Sequence, residues 1–234
     1  MTLPDPASPA PSDDTGPDPF VGVLRLPVTA DAAAFPAAAV AAGIEALSTA
    51  LRDPDIRVIV LQLQALPHAP RDALASGAQV DALHDWLLAL WDSDKPTVAA
   101  LDNDVGGAGL ALALACDLRV AARGVRLQLA PRLQLGGRSA AATWLATRRL
   151  PAAEAAALAL GRPLDAERAH ALGLLLEVTA PGLALEHALD VARALAGESA
   201  SVLADVKRRL AVCADVDLSQ CLREERERWL RGNA

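Results

Sequence analysis

Lys95-Pro-Thr-Val-Ala-Ala-Leu-Asp-Asn-Asp-Val-Gly-Gly-Ala-Gly-Leu-Ala-Leu-Ala-Leu-Ala-Cys-Asp117 decides the fold. Pro96 to Leu101 is a short apolar run of strand length and reads as a buried strand. Gly106-Gly-Ala-Gly109 is a turn of small residues, and Leu110 to Cys116 is a very apolar helix. Strand, glycine-rich turn and helix could open a nucleotide-binding unit. However, the turn is not G-x-G-x-x-G, and no acidic residue closes a strand about 20 residues later. No Gly-Lys-Ser/Thr follows, so it is not a phosphate loop of the Walker type either. What the stretch does offer is a helix start, where the first N–H groups lack intrahelical acceptors.

Reading outward, Val21 to Leu26 is a strand closed by Pro27, and Ala32 to Leu51 is a helix with Pro36 in its first turn. Arg57 to Gln64 is the clearest buried strand, and Leu66 to Gly77 is a loop punctuated by Pro67, Pro70 and Gly77. Val80 to Trp91 is amphipathic, with Leu83, Leu87 and Leu90 on one side. Downstream, Leu118 to Ala121 and Val125 to Leu129 are strands. Helices are expected at Ser139 to Arg149, Ala152 to Leu160 and Leu164 to Leu172, then a strand at Leu174 to Val178. Helices at Leu183 to Leu195, Ser199 to Val212 and Leu218 to Leu230 complete the chain. Strands alternating with helices mean an α/β fold with crossover connections and parallel strands. Met1 to Pro19 is rich in Pro, Asp, Ser and Ala and is expected to be a disordered tail. Residues 20–182 form the α/β core and 183–234 an α-helical C-terminal region.

The chain has 234 residues, enough for one domain with a well-buried core. More than half its residues are apolar and mean hydropathy is +0.25. Yet no run of about 18 apolar residues is uninterrupted, so no membrane partner is expected. The first residues lack the order of a secretory signal, which points to the cytoplasm. A net charge of −7 and a pI near 5.1 argue against nucleic acid. All but two of the 22 basic residues are Arg, the exceptions being Lys95 and Lys207. Cys116, Cys213 and Cys221 are odd in number and lack metal-ligand spacing, so reduced thiols and no metal site are expected.

Several segments, in order, resemble signatures of the enoyl-CoA hydratase/isomerase (crotonase) family. Lys95 to Asp117 resembles KPVIAAVNGxAxGGGxxLALACD, and Arg57 to Leu61 resembles the strand before the family's first oxyanion loop. Leu135-Gly136 and the helix after it follow the PExxLG region. Leu160-Gly-Arg-Pro-Leu-Asp-Ala-Glu-Arg-Ala-His-Ala-Leu-Gly-Leu174 resembles LTGxxxxAxEAxxxGLV. The likeness spans roughly residues 20 to 230. It implies a spiral of ββα repeats whose two sheets pack nearly perpendicular. It also implies a trimer or hexamer, or a hetero-oligomer with a homologue, and an acyl-CoA thioester as ligand with no permanent cofactor. Two backbone N–H groups would hold the thioester oxygen as charge develops on it. Residue by residue, one donor is the N–H of Ala108, between Gly107 and Gly109, where the family has Gly. The alanine keeps this N–H provided the backbone there needs no positive φ. For the other donor a direct count from Leu61 lands on Ala69-Pro70-Arg71, where Pro70 has no N–H. Ala75-Ser76-Gly77-Ala78 is the alternative after a longer loop. Both stand.

The resemblance also exposes a loss. The family's two proton-transferring Glu positions fall on Ala111 and on Arg132, which follows Pro131. No Asp or Glu occurs from Val105 to Cys116, nor from Leu118 to Ala153, so no register shift restores a carboxylate. General acid–base catalysis contributes about 10²–10⁴-fold, so ordinary hydration and isomerisation are not expected. His68 and Asp72, in the first loop, are substitute catalytic groups or solvated bystanders. Arg132 either holds a carboxylate or malonyl-type group or caps the pocket. His84, His170 and His187 read as surface or helix-packing residues, Asp117 as ordering a turn, and Cys116 as buried and inert. A Clp-type protease would need a Ser where Gly106 to Cys116 has none. Relative to the family pattern the C-terminal region is short, implying a weaker hold on the nucleotide end of CoA or a different oligomer.

Overall fold

The computed structural model describes residues 18–29, 37–66, 77–129, 140–213 and 216–232. Eight strands are described: β1 (Val21–Thr29), β2 (Val58–Leu66), β3 (Thr97–Leu101), β4 (Val105–Gly106), β5 (Leu118–Ala122), β6 (Arg126–Gln128), β7 (Leu164–Asp165) and β8 (Glu177–Thr179). The helices are α1 (Ala37–Arg52), α2 (Gly77–Trp91), α3 (Gly107–Ala115), α4 (Ala140–Arg149), α5 (Ala152–Ala159), α6 (Ala166–Ala171), α7 (Ala184–Ala196), α8 (Ala200–Cys213) and α9 (Leu218–Gly232).

The larger sheet runs β1-β2-β3-β5-β8, and every neighbouring pair in it is parallel. Parallel strands must be buried on both faces, because their crossovers lay helices over the sheet. Accordingly Val58 to Leu61 and Val98 to Leu101 are fully buried on both sides of the pleat. The smaller sheet is β4-β6-β7, with β4 parallel and β7 antiparallel to β6. After β3 the chain steps to the small sheet, returns for β5, steps out again for β6 and β7, and returns for β8. This repeated winding between two sheets is the crotonase-type α/β fold implied by the sequence.

Helix α7 lies across β2, β3 and β5. Its inner face is Ala184, Ala188, Ala192 and Ala196, all buried. Methyl side chains four apart make a shallow ridge that lets the helix sit close to the strands. Its N-terminus is held by Asp102, whose Oδ1 accepts from the Ala184 N–H at 3.1 Å. Helix α1 meets α2 at Gly43, which faces the fully buried indole of Trp86.

Three expectations about elements need correction. The helix predicted at Leu164 to Leu172 begins at Ala166, because Leu164 and Asp165 pair with β6 as β7. Asp165 then caps α6 by accepting from the Arg168 N–H. The turn at Gly106 to Gly109 is instead the end of a strand and the start of a helix, since β4 and α3 meet there without a loop. The last strand lies at Glu177–Thr179 rather than beginning at Leu174, since Leu174 and Leu175 are still tied back to Ala169 at the end of α6. The expected tail at 1–19 and the position of Pro36 lie outside the described residues, apart from Asp18 and Pro19.

Candidate functional site

The junction of β4 and α3 is built by strand pairing. Val105 and Gly106 pair with Leu127 and Gln128, so the chain enters the helix extended, with Gly106 at φ −150° and ψ 177°. The left-handed step then falls on Gly107, at φ 47°. Ala108 follows as the second residue of α3, and like any residue other than proline it keeps its N–H. Gly106 provides no side-chain cap, and no acidic residue lies in the first turn. The leading amides of α3 have no intrahelical acceptor, and among the described residues no side chain caps them.

Every residue of α3 is buried. An amide dipole there works at a lower effective dielectric than in water and acts more strongly on a nearby charge. Such a helix start can hold an oxygen that gains negative charge. Ala111 is 3% exposed and lies one turn beyond Ala108. Positions i and i+3 share a face, and helical side chains lean toward the N-terminus. Side chain 111 thus covers the turn that carries the Ala108 amide, and here it is a methyl group.

The carboxylates bordering this stretch are committed elsewhere. Asp104 takes the Arg126 N–H at 2.8 Å and its guanidinium at 2.7 and 3.0 Å. Asp102 holds α7. Asp117 Oδ2 accepts from Thr97 N–H at 2.8 Å and Thr97 Oγ1 at 2.9 Å, and pairs with Lys207 Nζ at 2.8 Å. Asp117 therefore ties β3, the end of α3 and α8 together.

Arg119 went unnoticed in the sequence. Only 6% exposed, it donates to the carbonyls of Leu174, Ala113, Cys116 and Asp117 at 2.7 to 3.4 Å. It closes the C-terminal end of α3 as a cation favoured by the helix dipole. Burial first, and then the neighbouring charge of Arg149, push its guanidinium down to about 10, so it stays charged at neutral pH. A lone Arg at the second position of an otherwise apolar strand directly after a helix end was the available signal.

Cys116 is fully buried and its thiol is pushed up to about 12, chiefly by burial and then by Asp117. His84 is exposed on α2. His170 Nδ1 lies 3.1 Å from Leu175 O, and His187 Nδ1 lies 2.8 Å from Glu177. Gly77 and Ala78 open α2, which packs against α3. His68, Ala69, Pro70, Asp72, Ala75, Ser76 and Arg132 lie outside the described residues. Among the described residues, a cavity of about 370 Å³ lies between α5 and α6, lined by Glu154, Arg162, Asp165 and Arg168. It does not include residues 106–109. No group of His, Cys, Asp and Glu among the described residues could hold a metal ion. No described helix is long and apolar enough to cross a membrane.

A five-stranded parallel sheet whose chain winds through a second, three-stranded sheet, with a fully buried helix leading from the small sheet back to the large one, defines an α/β protein of the crotonase type. The sequence profile of the enoyl-CoA hydratase/isomerase family matches residues 21–229. The 2,3-dehydroadipyl-CoA hydratase of Escherichia coli K12 is 32% identical over 193 residues, covering 79% of this chain and 75% of its own. A crystal structure of an enoyl-CoA hydratase from Polaromonas sp. JS666 superposes with a TM-score of 0.76 at 30% identity, covering 92% of this chain and 89% of that one. A monofunctional enoyl-CoA isomerase from M. smegmatis gives a TM-score of 0.72 at 25% identity, over 90% of this chain and 96% of that one. The chain belongs to the enoyl-CoA hydratase/isomerase family.

Proposed function

We propose that this protein binds an acyl-CoA thioester with the carbonyl oxygen on the Ala108 N–H, and that it hydrates or isomerises enoyl-CoA far more slowly than its relatives. The observation that supports this reading is Ala108 in the first turn of α3 with Ala111 one turn on, both buried and neither able to take or give a proton through its side chain. Hydration adds oxygen to the β-carbon and a proton to the α-carbon, so one group must take a proton from water and one must deliver it. Neither Ala111 nor Arg132 can do so at neutral pH. Losing both groups at about 10²–10⁴-fold each leaves only the binding and oxyanion contributions.

Chemistry that needs polarisation but no such pair fits better. In decarboxylation of a malonyl-type thioester the bond to CO₂ breaks and its electrons pass to an enolate held by the amide, with Arg132 orienting the carboxylate before it departs; the α-carbon then takes a proton from solvent water. Thioester cleavage draws on the same polarised carbonyl: water adds to the carbonyl carbon, the C–S bond breaks, and the departing CoA thiolate takes up the proton that the water gives up. The first-loop donor position is Ala69-Pro70-Arg71, where Pro70 has no N–H to give, or Ala75-Ser76-Gly77-Ala78 after a longer loop, with His68 and Asp72 as neighbouring groups. We further propose that the chain self-associates in the cytoplasm through α8 and α9, which expose Val206, Leu210, Leu218 and Leu222 at 48%, 70%, 74% and 54%. The same surface supports a second reading, a non-catalytic partner of an active homologue.

Calorimetry with a panel of acyl-CoAs including malonyl-CoA, beside a crotonyl-CoA hydration assay, tests these readings. Binding with hydration at least about 10⁴-fold below an active relative is expected. Turnover of malonyl-CoA selects the first reading. Binding without turnover is compatible with both readings, absence of binding leaves only the second, and hydration near the relatives' rate refutes the proposal.

A further inference from the structure

From the α8–α9 hairpin we infer that Cys213 and Cys221 form a reversible dithiol–disulfide site that locks the two helices together. Cys213 is the last residue of α8 and Cys221 lies in the first turn of α9, with the sulfur atoms 3.3 Å apart. A disulfide is about 2 Å long, so a small side-chain rotation closes the gap. Cys213 is exposed and Cys221 partly so, which leaves both open to a soluble oxidant. Cys116 is the internal contrast, a buried thiol in the same chain that the same oxidant does not reach.

The hairpin gives the link something to do. Among the described residues, no buried core side chain lies beyond Leu203. Helix α8 is fastened to the rest of the fold by Leu203, by Lys207, which reaches Asp117 Oδ2 at 2.8 Å and Lys95 O at 3.1 Å, and by Arg208, which pairs with Asp94 at 3.4 Å on the surface. The start of α9 is organised locally by Asp217, which accepts from the Gln220 N–H at 2.9 Å and the Ser219 hydroxyl at 2.7 Å. A covalent bond across so short a connection removes much of the freedom of α9 relative to α8. It also fixes how Val206, Leu210, Leu218 and Leu222 are presented together.

The oxidant is a hydroperoxide. One thiolate attacks the peroxide oxygen, giving a sulfenic acid and releasing water or an alcohol. The second thiolate then displaces the sulfenic oxygen as water and the S–S bond forms. In total the two thiols give up two protons and two electrons, and hydrogen peroxide becomes two molecules of water. A small dithiol reverses the step by exchange. This site is independent of what α3 binds.

Trypsin cleaves after Arg209 and Arg223, so both cysteines fall in the single peptide 210–223. The full-length chain is treated with hydrogen peroxide, alkylated with iodoacetamide, digested and weighed. The expected product is a peptide with no added alkyl groups, lighter than the dithiol by about 2 Da and restored to double alkylation by dithiothreitol. Cys116→Ala should leave this unchanged and Cys213→Ser should abolish it. Hydrogen exchange across 218–227 should slow on oxidation. Double alkylation after peroxide, over-oxidation of either sulfur, or a link between two chains would each overturn the site. A correct link with unaltered exchange would overturn the lock.

Discussion

Gly107 and Ala108 divide between them what the family assigns to neighbouring glycines. Gly107 takes the left-handed turn at φ 47° and Ala108 keeps the amide. An L-residue in that region costs about 1–2 kcal/mol. Gly107→Ala should therefore lower unfolding free energy by about that much in urea titration, while Ala108→Gly should stay within about 1 kcal/mol of the parent. Equal losses for the two variants would place the strain elsewhere. The Cys116 thiol supplies a second test at this scale. Its acid form is favoured up to about 12, so at pH 8 the thiolate is a minute fraction, and reactivity should climb about tenfold per pH unit until that value is approached. Colourimetric thiol titration of the reduced native protein at pH 8 should find Cys213 and Cys221 at once and Cys116 only after unfolding. Rapid reaction of all three would contradict the burial of Cys116.

Among the elements, one device recurs: a cation from outside a helix closes its C-terminus. Lys95 Nζ donates to Ala50 O and Asp53 O at the end of α1, at 2.7 and 2.6 Å. Arg119 does the same for α3, and Arg57 for α7 through Ala196 O at 2.9 Å and Glu198 O at 3.2 Å. Each satisfies carbonyls that a helix cannot satisfy itself, and each ties the helix to a strand or its flank. The contact of α1 with α2 carries the prediction for this scale. A Cβ on Gly43 would stand 2.7 Å from Trp86 Cζ2 and 3.0 Å from Leu26 Cδ2. Alanine gains about 1 kcal/mol in helix propensity, but the indole is fully buried with no room to withdraw, and overpacking costs about 1–3 kcal/mol. The clash should win, so Gly43→Ala should lower the thermal midpoint, whereas an unchanged or raised midpoint would mean that the helices separate freely. Long elements with strong periodicity were legible in advance: β2, α2, α7 and α8 lie within a few residues of their sequence-based limits. The two-residue strands β4 and β7 were not, because two residues carry no periodicity and only the partner strand defines them. Helix α3 begins earlier than its leucines suggested, because burial outweighs the helix penalty of Gly107 and Gly109.

For the molecule as a whole, the exposed apolar positions of α8 and α9 bear on self-association. A substitution at Leu210, which is 70% exposed, should change folding stability by no more than about 0.5 kcal/mol. If those helices are the interface, the parent should sediment as a multiple of 24.2 kDa and Leu210→Asp should shift it toward the single chain. A parent that sediments as one chain would sink the idea. The candidate site was legible here in one respect and hidden in another. The absence of carboxylates around Ala111 is a property of the string of residues and needed no coordinates. The commitments of Asp102, Asp104 and Asp117 to α7, Arg126 and Lys207 join residues 20 to 90 positions apart, and no local pattern announces such pairs.

By itself the sequence determined the α/β class, the buried strands, the apolar helix behind a glycine-rich start and the absence of Asp and Glu from 105–116 and 118–153, because these follow from local periodicity, side-chain volume and residue identity. Only the tertiary structure decided which glycine turns left-handed, where β4 and β7 pair, and that Arg119 lies buried against four carbonyls. It also brought Cys213 within 3.3 Å of Cys221. Those outcomes depend on which segments meet in space, and the free energy of meeting belongs to the pair rather than to either segment.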